Sequence, residues 1–182
     1  MFAQLQAGYP NPTVSLHIYS VADDASIMVN HNSTAVGITA VGDDAIDFAD
    51  NDRLITQVVW TTPTHEHLVY KQTNRVQDHE KTIIVTLPAT GKTTAEAMTS
   101  KVTKEYEPKD GGWVEVDQNI QFLAPQGKKD ESKYIDIADN GDGYMHLAMY
   151  SVDGNVEPTW LTTGEWEVVG GTVVVDSVKR LM

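Results

Sequence analysis

RLITQVVWTTPTHEHLVYKQTNRVQDHEKTIIVTL, residues 53–87, contains three short segments rich in β-forming residues, and these segments decide the predicted fold. RLITQVVW, HEHLVYKQT and KTIIVTL are dominated by Val, Ile, Thr and aromatic residues, which favour β-strands. Clusters containing Pro, Asp and Asn separate them, as is typical of turns. The stretch therefore predicts three strands joined by short connections.

The same pattern recurs along most of the chain. Alternating or β-rich segments include TVSLHIYS (13–20), ASIMVN (25–30), TAVGITAV (34–41), GGWVEVDQ (111–118), KYIDIA (133–138) and GYMHLAMY (143–150). Near the end, EWEVV-GG-TVVVDSV (165–178) places Gly170 and Gly171 where a two-residue hairpin turn needs positive φ. About ten short strands at these spacings favour an antiparallel β-sandwich or barrel.

One segment departs from the strand pattern. In TTAEAMTSKVTKEYEP (93–108), apolar residues at Ala95, Met98, Val102 and Tyr106 follow helical spacing. Thr93 and Glu96 also form a capping-box pattern. We therefore expect one mid-chain α-helix at about residues 94–106. The expected organisation is a single β-rich domain over residues 1–182, in which the Pro-containing residues 1–12 form an extended arm.

The bulk composition limits the partners and the chemistry. The chain has a formal net charge of −13 and no cysteine, so it carries neither disulfides nor thiolate metal sites. Negative charge repels phosphate backbones and anionic membranes, so neither nucleic acid nor a membrane is an expected partner. The start has no basic, apolar leader pattern and no segment is long and apolar enough to span a bilayer. We expect a soluble cytoplasmic product.

The stretch VTLPATGKTT (85–94) contains half of a phosphate-binding loop. A nucleotide site would use the backbone at Gly91, the ammonium of Lys92 and the hydroxyl of Thr93, with Asp176 as the metal-holding acid of a later strand. The first loop glycine is missing and Pro88 removes one amide. A P-loop protein also needs parallel strands with helical crossovers, which the turn-rich second half disfavours. A degenerate nucleotide-binding protein remains an alternative.

Acidic loops offer a second candidate site, for calcium. Hard cations bind clustered carboxylates and carbonyls on loops. The candidate ligands are Asp43, Asp44, Asp47, Asp139 and Asp142. DNGDG is also what an ordinary hairpin turn contains, so the loop has a purely structural interpretation as well. No other cofactor is expected.

Two further residue sets have candidate roles. Trp160, in the loop NVEPTWLTTG, is the tryptophan expected to be exposed and available to stack on a sugar, whereas Trp166 alternates with Val168 and is expected in the core. His65 and His67 would share one face of a strand and could bind a metal if His146 or His31 supplied a third ligand.

No nucleophile, base and acid combination is evident, and no family is recognised from the residues. The sequence therefore favours a non-catalytic, acidic, cysteine-free structural protein that self-associates or binds a protein partner. Strand edges support such assembly, and virion components such as phage tail-tube, capsid or decoration proteins have this general architecture. The alternatives are a calcium-assisted carbohydrate-binding β-sandwich and the nucleotide-binding protein.

Overall fold

A computed structural model describes residues 10–29, 48–87, 98–123, 125, 132–152, 157–171 and 173–176. The described residues form ten β-strands: β1 His17–Ser20, β2 Ala25–Met28, β3 Arg53–Trp60, β4 His67–Asn74, β5 Glu80–Thr86, β6 Thr99–Tyr106, β7 Gln121–Leu123, β8 Lys133–Asp139, β9 Met145–Ser151 and β10 Thr159–Trp160. A 3-10 turn, Lys109–Gly111, follows β6. The prediction of a mainly β, antiparallel fold is confirmed.

The strands form one hairpin and two four-stranded sheets. β1 pairs with β2, the first sheet has the order β3-β4-β5-β6, and the second has the order β10-β9-β8-β7. Every pair is antiparallel and joins strands that follow one another in the chain. Each sheet is therefore a simple meander, and four-stranded meanders in succession are the repeating unit of β-propellers.

Two apolar clusters hold the layers together. The hairpin packs Ile18, Ile27 and Val29 against one face of the first sheet, at Leu68, Tyr70, Ile83 and Val85. The opposite face of that sheet contributes Val69 and Ile84 to a second cluster with Tyr134, Ala138, Ala148 and Tyr150 of the second sheet. Because both faces of the first sheet are covered, β4 and β5 are buried along almost their whole length. The buried residues of both strands are apolar at one end, Leu68–Tyr70 and Ile83–Val85, and polar or charged at the other, Lys71–Thr73 and Glu80–Thr82.

The predicted helix at residues 94–106 is wrong where the structure describes it, since Thr99–Tyr106 is strand β6. Its register runs from Thr86↔Thr99 to Glu80↔Tyr106 along β5, with a bulge between Thr82 and Ile83. β5 is buried on both sides and needs hydrogen-bond partners along both edges. TSKVTKEY is rich in β-forming Thr, Val and Tyr, so pairing with β5 overrides the helical spacing. Residues 94–97, with the proposed cap, lie outside the described residues.

Other local predictions have mixed outcomes. GGWVEVDQ forms no strand, whereas the unpredicted β7 forms shortly after it. Gly170 and Gly171 do form a turn, but only Gly171 has positive φ, and residues 165–169 and 173–175 contain no strand. TAVGITAV lies outside the described residues, as do residues 1–9 of the expected arm. Residues 10–16 have no regular structure.

Candidate functional site

Four charged side chains meet between the two sheets. They are Lys71 on β4, Glu80 on β5, Lys104 on β6 and Asp136 on β8. Lys71 Nζ lies 2.8 Å from Asp136 Oδ2 and donates a hydrogen bond of 2.9 Å to Asp136 Oδ1. Glu80 Oε1 lies 3.9 Å from Lys71 Nζ, and Lys104 Nζ lies 3.9 Å from Asp136 Oδ2. The cluster therefore links the sheets by charge beside the apolar contacts.

Strand periodicity places these charges on the facing sides. Lys71 is two residues from Val69, and Asp136 is two residues from both Tyr134 and Ala138, so each charge shares its face with apolar residues of the second cluster. Lys71 and Asp136 are 3% and 1% exposed. Burial of a charge in such a place is costly unless an opposite charge accompanies it. The two residues therefore depend on each other.

Burial and neighbouring charges shift the pKa values of three of these groups in different directions. Burial disfavours the Lys71 ammonium, but the carboxylates of Asp136 and Glu80 outweigh this, and the pKa of Lys71 is raised above its ordinary value. Burial raises the pKa of Glu80, and the attraction of Lys71 offsets this only in part. Burial lowers the pKa of Lys104 despite Asp136 nearby. Lys71 is thus the lysine of the cluster whose charged form is favoured, and Lys104 is the one whose charged form is disfavoured.

A cavity of about 340 Å³ opens beside the cluster, between β4–β6 and the segments that contain Trp113–Asn119 and Glu167–Gly170. Lys71, Glu80 and Lys104 line it directly. This volume lies within the range of small-ligand sites. The cavity and the charge cluster together are the candidate site of the described part of the chain.

A turn on the cavity's edge depends on a close backbone approach. A Cβ atom at Gly170 would lie 1.7 Å from Asp117 Oδ2, so only glycine fits against this carboxylate. The next residue, Gly171, donates its N–H to Asn119 Oδ1 at 2.7 Å. Asp117 and Asn119 therefore hold the glycine turn against the segment before β7.

A buried histidine fixes the segment that leads to this turn. His146 Nε2 donates to the carbonyl of Gly164 at 2.9 Å, and His146 Nδ1 lies 3.1 Å from Thr162 Oγ1. Thr162 Oγ1 in turn accepts from the N–H of Leu147 at 3.0 Å, which leaves its own proton for the imidazole. Trp166 packs edge-on against the imidazole at 5.1 Å. His146 is thus a structural residue of this segment.

Only some of the residues predicted for the nucleotide site and the calcium site belong to the described part of the chain. Gly91, Lys92, Thr93, Asp43, Asp44 and Asp47 lie outside the described residues. Asp176 is exposed at an isolated bridge position. Asp139 Oδ1 accepts hydrogen bonds from the backbone N–H groups of Gly141 and Gly143, at 2.7 and 3.2 Å. This carboxylate therefore stabilises the turn that follows it. Asp142 is exposed. Calcium binding stays a prediction.

The tryptophan assignments are reversed. Trp160 is half-buried and packs against the second apolar cluster, whereas Trp166 is 50% exposed. The short β10 attaches Trp160 to β9, which explains its burial. Trp113, which had no assigned role, is 76% exposed at the cavity.

The histidine pair does not share a strand. His65 has a φ of +56° in the turn before β4 and contacts Trp60, while His67 lies 3.1 Å from Thr86 Oγ1. Within the described part of the chain, no three His, Asp or Glu side chains are grouped as a metal site. That part also contains no helix long and apolar enough to cross a membrane.

The two successive four-stranded meanders define a β-protein built from propeller-type units. Solved structures agree at the level of the fold. A protein of Bacteroides ovatus described as a dipeptidyl aminopeptidase IV matches with a TM-score of 0.57 and 24% identity over 87% of this chain and 20% of that one. Porphyromonas gingivalis dipeptidyl peptidase 4 matches with a TM-score of 0.52 and 22% identity, covering 91% of this chain and 19% of that one.

The family follows from the sequence match. Residues 6–182 match the model of the dipeptidyl peptidase IV (DPP IV) N-terminal region, and the chain belongs to this family. Dipeptidyl peptidase 4 of Trichophyton rubrum is 33% identical over 184 residues, which cover 98% of this chain and 20% of the relative. A protein of Aspergillus terreus described as a dipeptidyl-aminopeptidase B is 35% identical over 181 residues, or 97% and 17% of the two chains. The chain spans about a fifth of the length of these curated relatives.

This family overturns the functional interpretation of the sequence. The expectation of a non-catalytic structural subunit of a virion is wrong, because the relatives are named peptidases. The expectation that the protein is not an enzyme is wrong for the same reason. The family match also contradicts the two alternatives, a carbohydrate-binding module and a nucleotide-binding protein. Composition misled here because an acidic, strand-rich chain suits both an assembly protein and a scaffold region of an enzyme.

Proposed function

We propose that this chain forms part of the N-terminal region of a dipeptidyl peptidase, an enzyme that releases dipeptides from the free amino end of peptides. The family match over residues 6–182 is the observation that carries the proposal. The names of the relatives supply the reaction class and the free amino terminus of the substrate.

The described residues supply a scaffold and not the hydrolytic groups. Peptide-bond hydrolysis by a serine enzyme needs a serine, a histidine and an acid in hydrogen-bond contact. In the described ranges the nearest approach to this is Ser15 Oγ, 3.0 Å from His17 Nε2. The other ring nitrogen of His17 faces the Ser26 hydroxyl at 3.4 Å and not a carboxylate. The proposal therefore assigns the reacting groups to residues other than those described.

The scaffold role follows from how the two sheets are joined. The Lys71–Asp136 pair and the second apolar cluster hold one meander against the next. A rigid base of this kind can hold loops and further sheets in a constant position around a substrate. Cofactor-independent catalysis is part of the proposal, as is self-association through sheet edges such as β3, which sedimentation analysis would detect.

The activity is tested on the gene product that contains these residues at its natural length. A panel of dipeptidyl chromogenic amides should release the chromophore, while the same dipeptides with an acylated amino end should not react. Cleavage of the blocked substrates at equal rates would remove the amino-terminal part of the proposal. No cleavage of any dipeptidyl amide would overturn the assignment as a peptidase.

A further inference from the structure

We propose that Lys104 is a nucleophilic amine that forms an imine with small neutral aldehydes entering the cavity beside the charge cluster. Glu80, on the neighbouring strand, is the proton donor that allows water to leave. This covalent site is separate from peptide hydrolysis and does not rest on the proposed enzyme activity.

The amine of Lys104 reaches the cavity and is not held by a hydrogen bond. Lys104 lines the cavity, and its side chain is 16% exposed. Its Nζ lies 3.9 Å from Asp136 Oδ2, beyond hydrogen-bond distance, and donates no hydrogen bond within the described part of the chain. Asp136 instead accepts from Lys71, at 2.9 Å. The Lys104 nitrogen is therefore open to a molecule in the cavity.

The surroundings of Lys104 favour the unprotonated amine, which is the form that attacks a carbonyl carbon. Burial is the largest influence and lowers the pKa of Lys104. The carboxylate of Asp136 opposes this, whereas the ammonium of Lys71 adds to it. At neutral pH a larger share of Lys104 is therefore unprotonated than of an ordinary lysine, whose pKa is about 10.4.

The rest of the cavity selects the kind of aldehyde. Its volume of about 340 Å³ accommodates a small molecule. The acidic residues Glu115, Asp117 and Glu167 line the wall and disfavour an anionic aldehyde. Apolar side chains of the wall stabilise an alkyl group, and these are Val114, Ile137, Met145 and Val168. A neutral aldehyde with a short alkyl chain fits both conditions.

Strand pairing places Glu80 beside Lys104. Lys104 pairs with Thr82 in the β5–β6 ladder, and Glu80 is two residues from Thr82 along β5. Glu80 and Lys104 are therefore diagonal neighbours on one face, and both line the cavity. Burial raises the pKa of Glu80, and the attraction of Lys71 offsets this only in part. Glu80 thus keeps its proton to a higher pH than an ordinary glutamate and can act as a general acid.

Imine formation then needs only these two groups and the aldehyde. The lone pair of Lys104 Nζ forms a bond to the carbonyl carbon, the C=O double bond opens, and one amine proton moves to the oxygen. The Glu80 carboxyl donates its proton to the resulting hydroxyl, which leaves as water while nitrogen and carbon form a double bond. The remaining N–H proton returns to the Glu80 carboxylate. The net change is amine plus aldehyde to imine plus water, with no oxidation or reduction.

Reductive trapping on the gene product at its natural length tests this site. The probe is butanal at limiting concentration and neutral pH, with sodium cyanoborohydride to reduce the imine to a stable secondary amine. Tandem mass spectrometry compares alkylation of Lys104 with that of the exposed Lys109. We expect Lys104 to react about tenfold faster or more, and this advantage should shrink as the pH approaches about 10, where ordinary lysines also lose their protons. A rate at Lys104 equal to or below that at Lys109 at neutral pH would overturn the proposal.

The unfolded protein is the control for the fold. In concentrated urea the two lysines should react at the same rate, because the cavity no longer exists. If Lys104 keeps its advantage in urea, the reactivity comes from the local sequence and the cavity site is rejected.

Glu80→Gln tests the proton donor. Alkylation of Lys104 by butanal should slow by about tenfold or more, because the general acid is lost. Acetylation of Lys104 by acetic anhydride, which involves no loss of water, should be unchanged. Equal effects on the two reactions, or no effect on alkylation, would overturn the role of Glu80. Thermal unfolding shows whether the variant is folded, and if it is not, the comparison of Lys104 with Lys109 in the unaltered protein still decides the proposal.

Discussion

Lys71 Nζ and Asp136 Oδ2 are 2.8 Å apart across the interface between the two sheets, and the two side chains are only 4% and 1% exposed. The pair joins the two meanders beside the apolar contacts of the second cluster and the longer contact of Lys104 with Asp136. Lys71 also lines the cavity, and the other two charged residues of the cluster, Glu80 and Lys104, each contact one member of the pair.

Replacement of one partner of this pair should be strongly destabilising. In Lys71→Met the carboxylate of Asp136 remains buried with Lys104 as its nearest described cation at 3.9 Å. We expect the free energy of unfolding to fall by about 3–5 kcal/mol, as for other broken buried ion pairs. Urea unfolding followed by circular dichroism measures it. The double variant Lys71→Met/Asp136→Leu should recover most of the loss, and a double variant as unstable as the single one would contradict this account.

Glu80 should make stability depend on pH. Burial raises its pKa above the ordinary value of 4.5 in the folded state. The folded state then favours the protonated acid, so this contribution is fully present below pH 4.5 and is lost as the pH rises through the raised pKa. Glu80→Gln should therefore gain stability relative to the unmodified protein as the pH rises from mildly acidic to neutral. Urea midpoints measured at a series of pH values test this. A difference between the two proteins that is constant with pH would show that Glu80 does not titrate in this way.

Gly170 should not tolerate a side chain. The Cβ atom of Gly170→Ala would lie 1.7 Å from Asp117 Oδ2 and 2.3 Å from Asp117 Cγ. We expect a loss of about 1–3 kcal/mol in the free energy of unfolding, typical of an overpacked contact. Shortening the opposing side chain in Gly170→Ala/Asp117→Ser should restore part of it. If the two substitutions are simply additive in unfolding experiments, the contact between these residues is not the cause.

His146 should hold its proton on Nε2. That nitrogen faces the carbonyl of Gly164 at 2.9 Å, and Nδ1 faces the hydroxyl of Thr162. ¹⁵N NMR of the imidazole should show the Nε2–H tautomer, because the carbonyl only accepts. His146→Leu should cost about 1–3 kcal/mol, since it leaves the carbonyl without this donor and Thr162 without its acceptor. An Nδ1–H tautomer would show that the Thr162–His146 hydrogen bond runs in the opposite direction.

The sequence contains a signal for the buried ion pair that sequence reasoning did not use. Lys71 in HLVYKQT and Asp136 in KYIDIA each occupy the inward phase of an otherwise apolar strand. A charge at such a position indicates a partner within the core. The identity of the partner cannot be read from either strand, since Lys71 and Asp136 are far apart in the chain and meet only when the sheets stack.

The helix at 94–106 shows the limit of local patterns. Apolar spacing at Met98, Val102 and Tyr106 fits a helix as well as it fits part of a strand. The free edge of β5 decides between them, because a buried strand requires hydrogen-bond partners that a helix could not provide.

Alternating apolar residues and turn clusters by themselves determined that this protein is an antiparallel β structure, because side-chain period and turn chemistry are local properties. They also placed β3, β4, β5, β8 and β9 to within two residues at each end. Tertiary structure alone decided which strands share a sheet, which faces are covered, and that Lys71, Glu80, Lys104 and Asp136 lie together. Those outcomes depend on contacts between distant parts of the chain, where burial on both faces and charge pairing outweigh local preference.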